Sequence, residues 1–308
     1  MCANNKEMNI ADSVILKLET AGFRAALIPF SCIEQITKIH DTHVDNSENT
    51  PFNIKNRFHS NQPPDITFEP LSFLVIAFQS SEGEVCFNYK GKKISIPIPP
   101  TYLDDSAKRR LNEALKLAAE NYQLAGAKGI SLKLLAVLSG LGKYGRNALC
   151  YLEEFGSFCN FDAYYTDIPC EDKHHKIAFM DICESCGLCI KNCPTEALGG
   201  QLAIDTSRCL TMLNEFKSPM PEWLLPSVHH AIVGCMRCHE ICPVNKSVPK
   251  NKKEAFELSE LETEILLTSS SEKLPPELVK RLSDYGLWQN FIALAGRNAK
   301  LAIEAIGD

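Results

Sequence analysis

The sequence predicts an α+β protein with an α/β N-terminal part, a ferredoxin-like segment built around cysteines, and a helical C-terminal segment. Three observations predict this division. Before residue 176, amphipathic stretches alternate with apolar, strand-like runs. From Cys183 to Cys242 the chain is punctuated by cysteines and has room only for short elements. After Pro243 helical periodicity returns. The boundaries fall at 1–175, 176–250 and 251–308, in a chain whose 308 residues suit about two domains.

Asn9 to Thr20 has helical spacing and stops before Gly22, a favourable C-terminal residue. Phe23 to Pro29 reads as a strand, and Ser31 can cap a second helix running to His40. Asp41 to Pro70 turns polar and reads as a long loop. Leu71 to Gln79 is an apolar run that suits a buried strand. Val85 to Ile98 alternates around Lys90-Gly91 and reads as a hairpin. Asp104 to Tyr122 forms an amphipathic helix capped by Asp104, Asp105 or Ser106, and Ile130 to Ser139 is also helical. Strands are expected over Asn147 to Leu152 and Ser157 to Tyr165. The C-terminal helices span Glu257 to Leu267, Pro276 to Ser283 and Gln289 to Ile306.

The chain is 45% hydrophobic, which is enough for a core, and its net charge is −6. That acidity argues against a protein gripping nucleic acid over a broad basic face. Met1 to Ile10 has no apolar signal-peptide core, and the longest apolar run, Leu71 to Phe78, is too short to span a bilayer. A cytoplasmic protein with no membrane partner is expected. Fourteen cysteines in such a chain point to metal binding rather than to a disulfide framework.

Cys183, Cys186, Cys189 and Cys193-Pro194 spell C-x2-C-x2-C-x3-C-P. This is the bacterial ferredoxin run, in which the fourth cysteine ligates the other cluster. Cys209 stands alone, and Cys235, Cys238 and Cys242-Pro243 complete the set. With that exchange, Cys183, Cys186, Cys189 and Cys242 hold one 4Fe–4S cluster, and Cys193, Cys209, Cys235 and Cys238 hold the other. Structural zinc would use C-x2-C pairs but gives no reason for three spaced cysteines ahead of C-P. Cys2, Cys32, Cys86, Cys150, Cys159 and Cys170 lack ligand spacing and read as small buried residues.

Gly140 to Gly145 matches G-x-G-x-x-G, but a dinucleotide fingerprint must follow a strand and open a helix. Here a helical stretch precedes it, so it reads as a turn, either structural or close to another cofactor. The pairs His174-His175 and His229-His230 read as solvated or packing residues. His239 lies inside the second cysteine motif and either tunes or shields it. The lysines Lys246, Lys250, Lys252 and Lys253 form a solvated connector or, alternatively, a polyanion contact.

These motifs resemble the epoxyqueuosine reductase family and its cobalamin-dependent relatives, which include reductive dehalogenases. The resemblance runs through Leu138 to Asn147, Phe155-Gly156-Ser157-Phe158, Thr166-Asp167-Ile168-Pro169, both cysteine motifs and Ser207-Arg208-Cys209. It implies a nitroreductase-like α/β cobalamin-binding domain joined to a ferredoxin-like double 4Fe–4S cluster domain. It also implies the eight cluster ligands in the exchanged pairing, and a corrinoid beside Gly140, Gly142, Tyr144, Gly145, Arg146 and Asn147. The implied activity is an oxidoreductase of queuosine biosynthesis. A low-potential donor such as ferredoxin or flavodoxin feeds the clusters, and tRNA carries the substrate.

The chain departs from the family pattern in three places, which marks a divergent branch. Leu124 to Ile130 holds no carboxylate where the family has an acidic proton donor, which leaves Tyr102 or Tyr144 to stand in. The turn reads Gly-Lys-Tyr-Gly-Arg-Asn rather than the family's Trp-Ile-Gly-Lys form. The chain also ends at Asp308, without the helical-repeat extension that many family members carry, which points away from tRNA. Two other readings stand beside the reductase. One is a non-catalytic electron carrier for a separate corrinoid protein, and the other is a cluster protein whose α/β domain only docks a partner.

Overall fold

The computed structural model describes residues 9–44, 66–103, 105–171, 176–200, 203–269, 273–287 and 289–307. Most of the expected loop between Asp41 and Pro70, the cap residue Asp104 and the pair His174-His175 lie outside these residues.

Helix α1 (Ile10–Thr20) starts where the Asn9 side chain accepts from the Asp12 amide at 2.8 Å. Strand β1 (Arg24–Pro29) follows, and a 3-10 turn over Phe30–Cys32 leads into α2 (Ile33–Val44). Ser31 therefore lies within a turn, and the second helix starts later than its capping potential predicts. The next strands are β2 (Ser72–Gln79), β3 (Ser81–Tyr89) and β4 (Lys92–Ile98). Lys90 and Gly91 between the last two have φ of 50° and 71°, the left-handed pair that a tight hairpin requires. Helix α3 (Asp105–Ala118), strand β5 (Leu124–Gly126) and helix α4 (Leu132–Leu138) precede two short strands, β6 (Lys143–Tyr144) and β7 (Cys150–Tyr151). Strand β8 (Cys159–Thr166) closes this part.

The main sheet is antiparallel, in the order β1-β2-β8-β5. Strand β2 lies inside it and is buried on both faces, which explains its unbroken apolar run. Phe73, Val75 and Ala77 join Ile36, Leu134, Leu135 and Tyr165 in one core. Leu74, Ile76 and Phe78 point the other way, toward Val14, Leu18, Leu111 and Leu115. Helices thus cover both faces, and each fully buried large side chain contributes about 1.5–3 kcal/mol.

The cysteine-rich segment contains α5 (Leu188–Lys191), β9 (Leu198–Gly200), β10 (Ala203–Ile204), α6 (Leu210–Glu215), α7 (Arg237–Glu240) and α8 (Pro243–Lys246). Strands β11 (Asn251–Lys252) and β12 (Phe256–Leu258) then pair in parallel with β3. Helices α9 (Glu260–Thr268), α10 (Pro276–Tyr285) and α11 (Gln289–Gly307) complete the chain. The helix expected from Glu257 starts only at Glu260, because Phe256–Leu258 is taken up as a strand. Ser259 and Glu262 form the capping box that sets this start. The C-terminal segment shares its core with the hairpin: Phe87, Ile96, Leu258, Leu266, Leu282 and Ile292 belong to one cluster, joined by Ile232 and Val233.

Candidate metal centre

The two cysteine motifs fold as tight loops with short helical turns. A 3-10 turn over Asp181–Glu184 carries Cys183, and Gly187, at φ 69°, redirects the chain into α5, which carries Cys189. Cys183, Cys186, Cys189 and Cys242 line one concavity, together with Arg146, Asn147 and Tyr151. Cys242 thus stands with the first motif and not only with its sequence neighbours.

Cys209 precedes α6, and Cys238 lies on α7. Burial raises the pKa of both Cys235, to about 12, and Cys238. Cys235 also lies in the field of Cys209 and Cys193, and Cys238 in that of Cys235, Cys209, Cys189 and Cys193. Thiols so desolvated ionise readily only against a cation, so iron would displace their protons on binding. All eight motif cysteines are half-buried and free of disulfides. Among the described residues no three His, Cys, Asp or Glu side chains converge on a single-ion site. The donor set, eight thiols of which four line one concavity, has the count that two cubanes require.

The glycine-rich turn is fixed between the motifs. Tyr144 exchanges backbone hydrogen bonds with Ala178 (2.8 Å) and Met180 (2.9 Å), just ahead of the first motif. Arg146 donates to the carbonyl of Glu184 at 3.0 Å. Its neighbour Asn147, buried, donates to the Tyr151 hydroxyl at 2.9 Å and to the carbonyl of Cys238 at 3.3 Å. The strand expected over Asn147 to Leu152 shrinks to Cys150–Tyr151, because Ala148 is left-handed at φ 53° and closes the turn.

The glycines have local reasons to be glycine. A Cβ on Gly142 would lie 2.6 Å from the Cys150 sulfur and 2.8 Å from the Tyr151 carbonyl. One on Gly145 would lie 2.6 Å from the Tyr151 ring. Gly140, at φ 82°, has nothing within 4 Å of that position. Burial holds the Tyr144 phenol above its ordinary pKa, and Ser131 is its hydrogen-bond partner.

A second brace lies behind Cys238. His239 is buried and kept neutral, its pKa lowered to about 4 by burial and by Lys133 and Lys250. Its Nδ1 is 2.8 Å from the Ser157 hydroxyl, and its ring stacks on Phe158. Asn245 donates to the Ser157 hydroxyl (2.7 Å) and to the His239 carbonyl (2.9 Å), and accepts from the Ser157 amide (2.9 Å). His230 accepts from the Met236 amide at 3.0 Å, between Cys235 and Cys238, while His229 is buried.

Other expected residues fall as follows. Cys32, Cys86, Cys150 and Cys159 are buried, Cys170 is half-buried, and Cys2 lies outside the described residues. Tyr102 is buried, and its hydroxyl donates to Glu215. Of the connector lysines, Lys250 pairs with Glu82 at 3.2 Å and covers the Phe158 ring. Lys253 donates to the Tyr285 carbonyl and sits over its ring. Strand β5 occupies the start of the stretch that lacks a carboxylate. Among the described residues no helix is long and apolar enough to cross a membrane.

The double-cluster segment and the fold both have counterparts among known proteins. Residues 182–245 match the 4Fe-4S double cluster binding domain. The epoxyqueuosine reductase of Staphylococcus aureus is 28% identical over 183 residues, 56% of this chain and 45% of that protein. That of Listeria monocytogenes is 32% identical over 112 residues, 36% of this chain and 29% of that protein. The chain resembles the epoxyqueuosine reductases. The matched stretches thus span less than half the length of these relatives. The structure of epoxyqueuosine reductase from Bacillus subtilis aligns with 97% of this chain and 83% of its own, with TM-score 0.66 at 20% identity. An epoxyqueuosine reductase bound to a modified tRNA-Tyr stem loop aligns with the same coverage, at TM-score 0.66 and 19% identity. The epoxyqueuosine reductase fold, with its double-cluster domain, is the architecture of this chain.

Proposed function

We propose that the chain is a cobalamin-dependent iron–sulfur reductase of the epoxyqueuosine reductase kind, passing electrons through two 4Fe–4S clusters to a corrinoid. The observation that carries this reading is the turn at Arg146 and Asn147, which is hydrogen-bonded to one cysteine motif through each residue. A site beside that turn would be tied to both cysteine motifs. Cys183, Cys186, Cys189 and Cys242 ligate the first cluster, a grouping supported by their shared concavity. Cys193, Cys209, Cys235 and Cys238 ligate the second, a grouping supported by the nearness of Cys209 and Cys193 to Cys235.

The residues for the corrinoid are Gly140, Gly142, Tyr144, Gly145, Arg146 and Asn147. The open edge at Gly140 suits a large flat group, whereas the space above Gly142 and Gly145 is filled by Cys150 and Tyr151. When bound, cobalamin supplies a low-valent cobalt centre as the reductant. The chain's own residues position it: Asn147 fixes the turn, and Tyr144 keeps a protonated phenol at the turn. A low-potential ferredoxin or flavodoxin supplies electrons in the cytoplasm, and epoxyqueuosine in tRNA is the substrate to which the resemblance points.

The electron-carrier reading is favoured by one observation, the lack of a carboxylate over Leu124 to Ile130. Epoxide opening needs an acid within hydrogen-bond reach of the leaving oxygen. Anaerobic reconstitution followed by iron, sulfide and cobalt analysis tests the cofactors. The reduced protein is then given epoxyqueuosine-containing tRNA, and queuosine is sought by mass spectrometry. Queuosine formation supports the reductase. Loaded cofactors without product transfer the assignment to another substrate, and an unchanged corrinoid spectrum transfers it to the electron carrier.

A further inference from the structure

Helix α4 buries Leu134, Leu135, Ala136, Val137 and Leu138, and Ser131 caps its start. Lys133, in its first turn, is accessible to solvent. A cation at a helix N-terminus opposes the helix dipole, at a cost of about 0.3–1 kcal/mol. Helix physics therefore does not account for this lysine.

Its surroundings do. The Lys133 ammonium donates to the carbonyl of Ala148 at 3.2 Å. Ala148 is the left-handed residue that closes the glycine-rich turn, and the preceding Asn147 reaches the Cys238 carbonyl. Lys133 lies in the combined field of Cys150, Cys209, Cys238 and Glu215. Desolvation by the surrounding protein groups lowers its pKa, and the sulfurs of Cys150, Cys209 and Cys238 with the Glu215 carboxylate offset part of that shift.

We infer that Lys133 is a positioning residue that holds positive charge beside the cluster of Cys193, Cys209, Cys235 and Cys238 and raises that cluster's reduction potential. The inference rests on the ligand assignment proposed above. A 4Fe–4S cluster with four thiolates is already an anion. Reduction adds one electron, makes it more negative and breaks no bond, so a nearby cation stabilises the reduced form more than the oxidised one. The electron comes from the low-potential donor, or from dithionite in the test.

The test is an anaerobic redox titration of the reconstituted protein, followed by electron paramagnetic resonance. Iron analysis first establishes that both clusters are present, and their absence would sink the ligand assignment rather than the role of Lys133. With both present, Lys133→Met should lower the reduced-to-oxidised ratio of one cluster about tenfold at fixed poise, roughly 59 mV for one electron. The other cluster should not move, and Lys133→Arg should keep the original potential. Lys133→Gln retains a donor for Ala148 without the charge and should behave like Lys133→Met. It also serves if the methionine variant fails to hold its clusters. Unmoved potentials, an equal shift of both clusters, or a charge-free glutamine variant with the original potential would each overturn the inference.

Discussion

Asn147 donates from its side-chain amide to the carbonyl of Cys238 at 3.3 Å, and so joins the glycine-rich turn to the second cysteine motif. Arg146, one residue earlier, makes the matching bond to Glu184 in the first motif. Two adjacent side chains therefore set the distance between two loops about fifty residues apart in sequence. Any group held against the turn inherits a fixed relation to both.

Asn147→Ala should lose about 1–3 kcal/mol of stability. The substitution removes a buried donor from the Tyr151 hydroxyl and the Cys238 carbonyl, and an acceptor from the Leu149 amide. Chemical denaturation measures the loss. The iron bound per chain should fall as well, because the loop carrying Cys238 loses one of its ties.

Gly142→Ala tests whether the turn is glycine-rich for reasons internal to the protein. The new methyl meets the Cys150 sulfur at 2.6 Å and the Tyr151 carbonyl at 2.8 Å, and the latter is backbone that cannot swing aside. Overpacking of this kind costs about 1–3 kcal/mol. Gly126→Ala, with nothing within 4 Å, should stay within roughly 0.5 kcal/mol of wild type. Equal losses in the two variants would show that the contact with strand β7 does not constrain Gly142.

Local signals made much of this fold legible. Asn9 sets the start of α1, and Lys90-Gly91 sets the β3–β4 hairpin, because cap and turn chemistry act within a few residues. The unbroken apolar run of β2 marked a strand covered on both faces. Strands β11 and β12 were not legible, since their partner β3 lies some 170 residues away and pairing at that distance leaves no local period. The Ser259–Glu262 capping box was present in the sequence and would have moved the start of α9. The cysteine spacing gave the donor set, whereas the roles of Arg146 and Asn147 depend on loops that meet only in three dimensions. Lys250 and Lys253, read as solvated connector lysines or a polyanion contact, bind within the chain because Glu82 and Tyr285 come from remote segments.

His229 makes the stability depend on acid. It is buried without a hydrogen-bond partner for Nδ1, and burial, Arg297 and His230 lower its pKa to about 4. In the unfolded chain the group titrates near 6.5, so below that pH the unfolded state binds the extra proton. The stability it contributes is therefore complete above about pH 6.5 and is lost as pH falls toward 4, up to roughly 2–3 kcal/mol. His229→Gln should flatten stability against pH across this window relative to wild type. A parallel decline in both proteins would place the acid sensitivity elsewhere.

Cys242→Ser distinguishes exchanged ligation from ligation by sequence order. Cys242 follows Cys238 by four residues, so a simple reading of the motif would give both to one cluster. In the structure Cys242 shares its concavity with Cys183, Cys186 and Cys189. Serine leaves that site three thiols and a weaker alkoxide donor, and a cubane with one weakened corner tends to shed iron. The expected outcome is a chain that keeps the cluster of Cys193, Cys209, Cys235 and Cys238 and loses or alters the other. Cys193→Ser should do the reverse, although Cys193 belongs to the first motif in sequence. Mössbauer and electron paramagnetic resonance spectra of the two variants, each with its iron content, make the comparison. If Cys242→Ser instead perturbs the same signal as Cys235→Ser while Cys193→Ser perturbs that of Cys186→Ser, each motif serves its own cluster and the exchange is wrong.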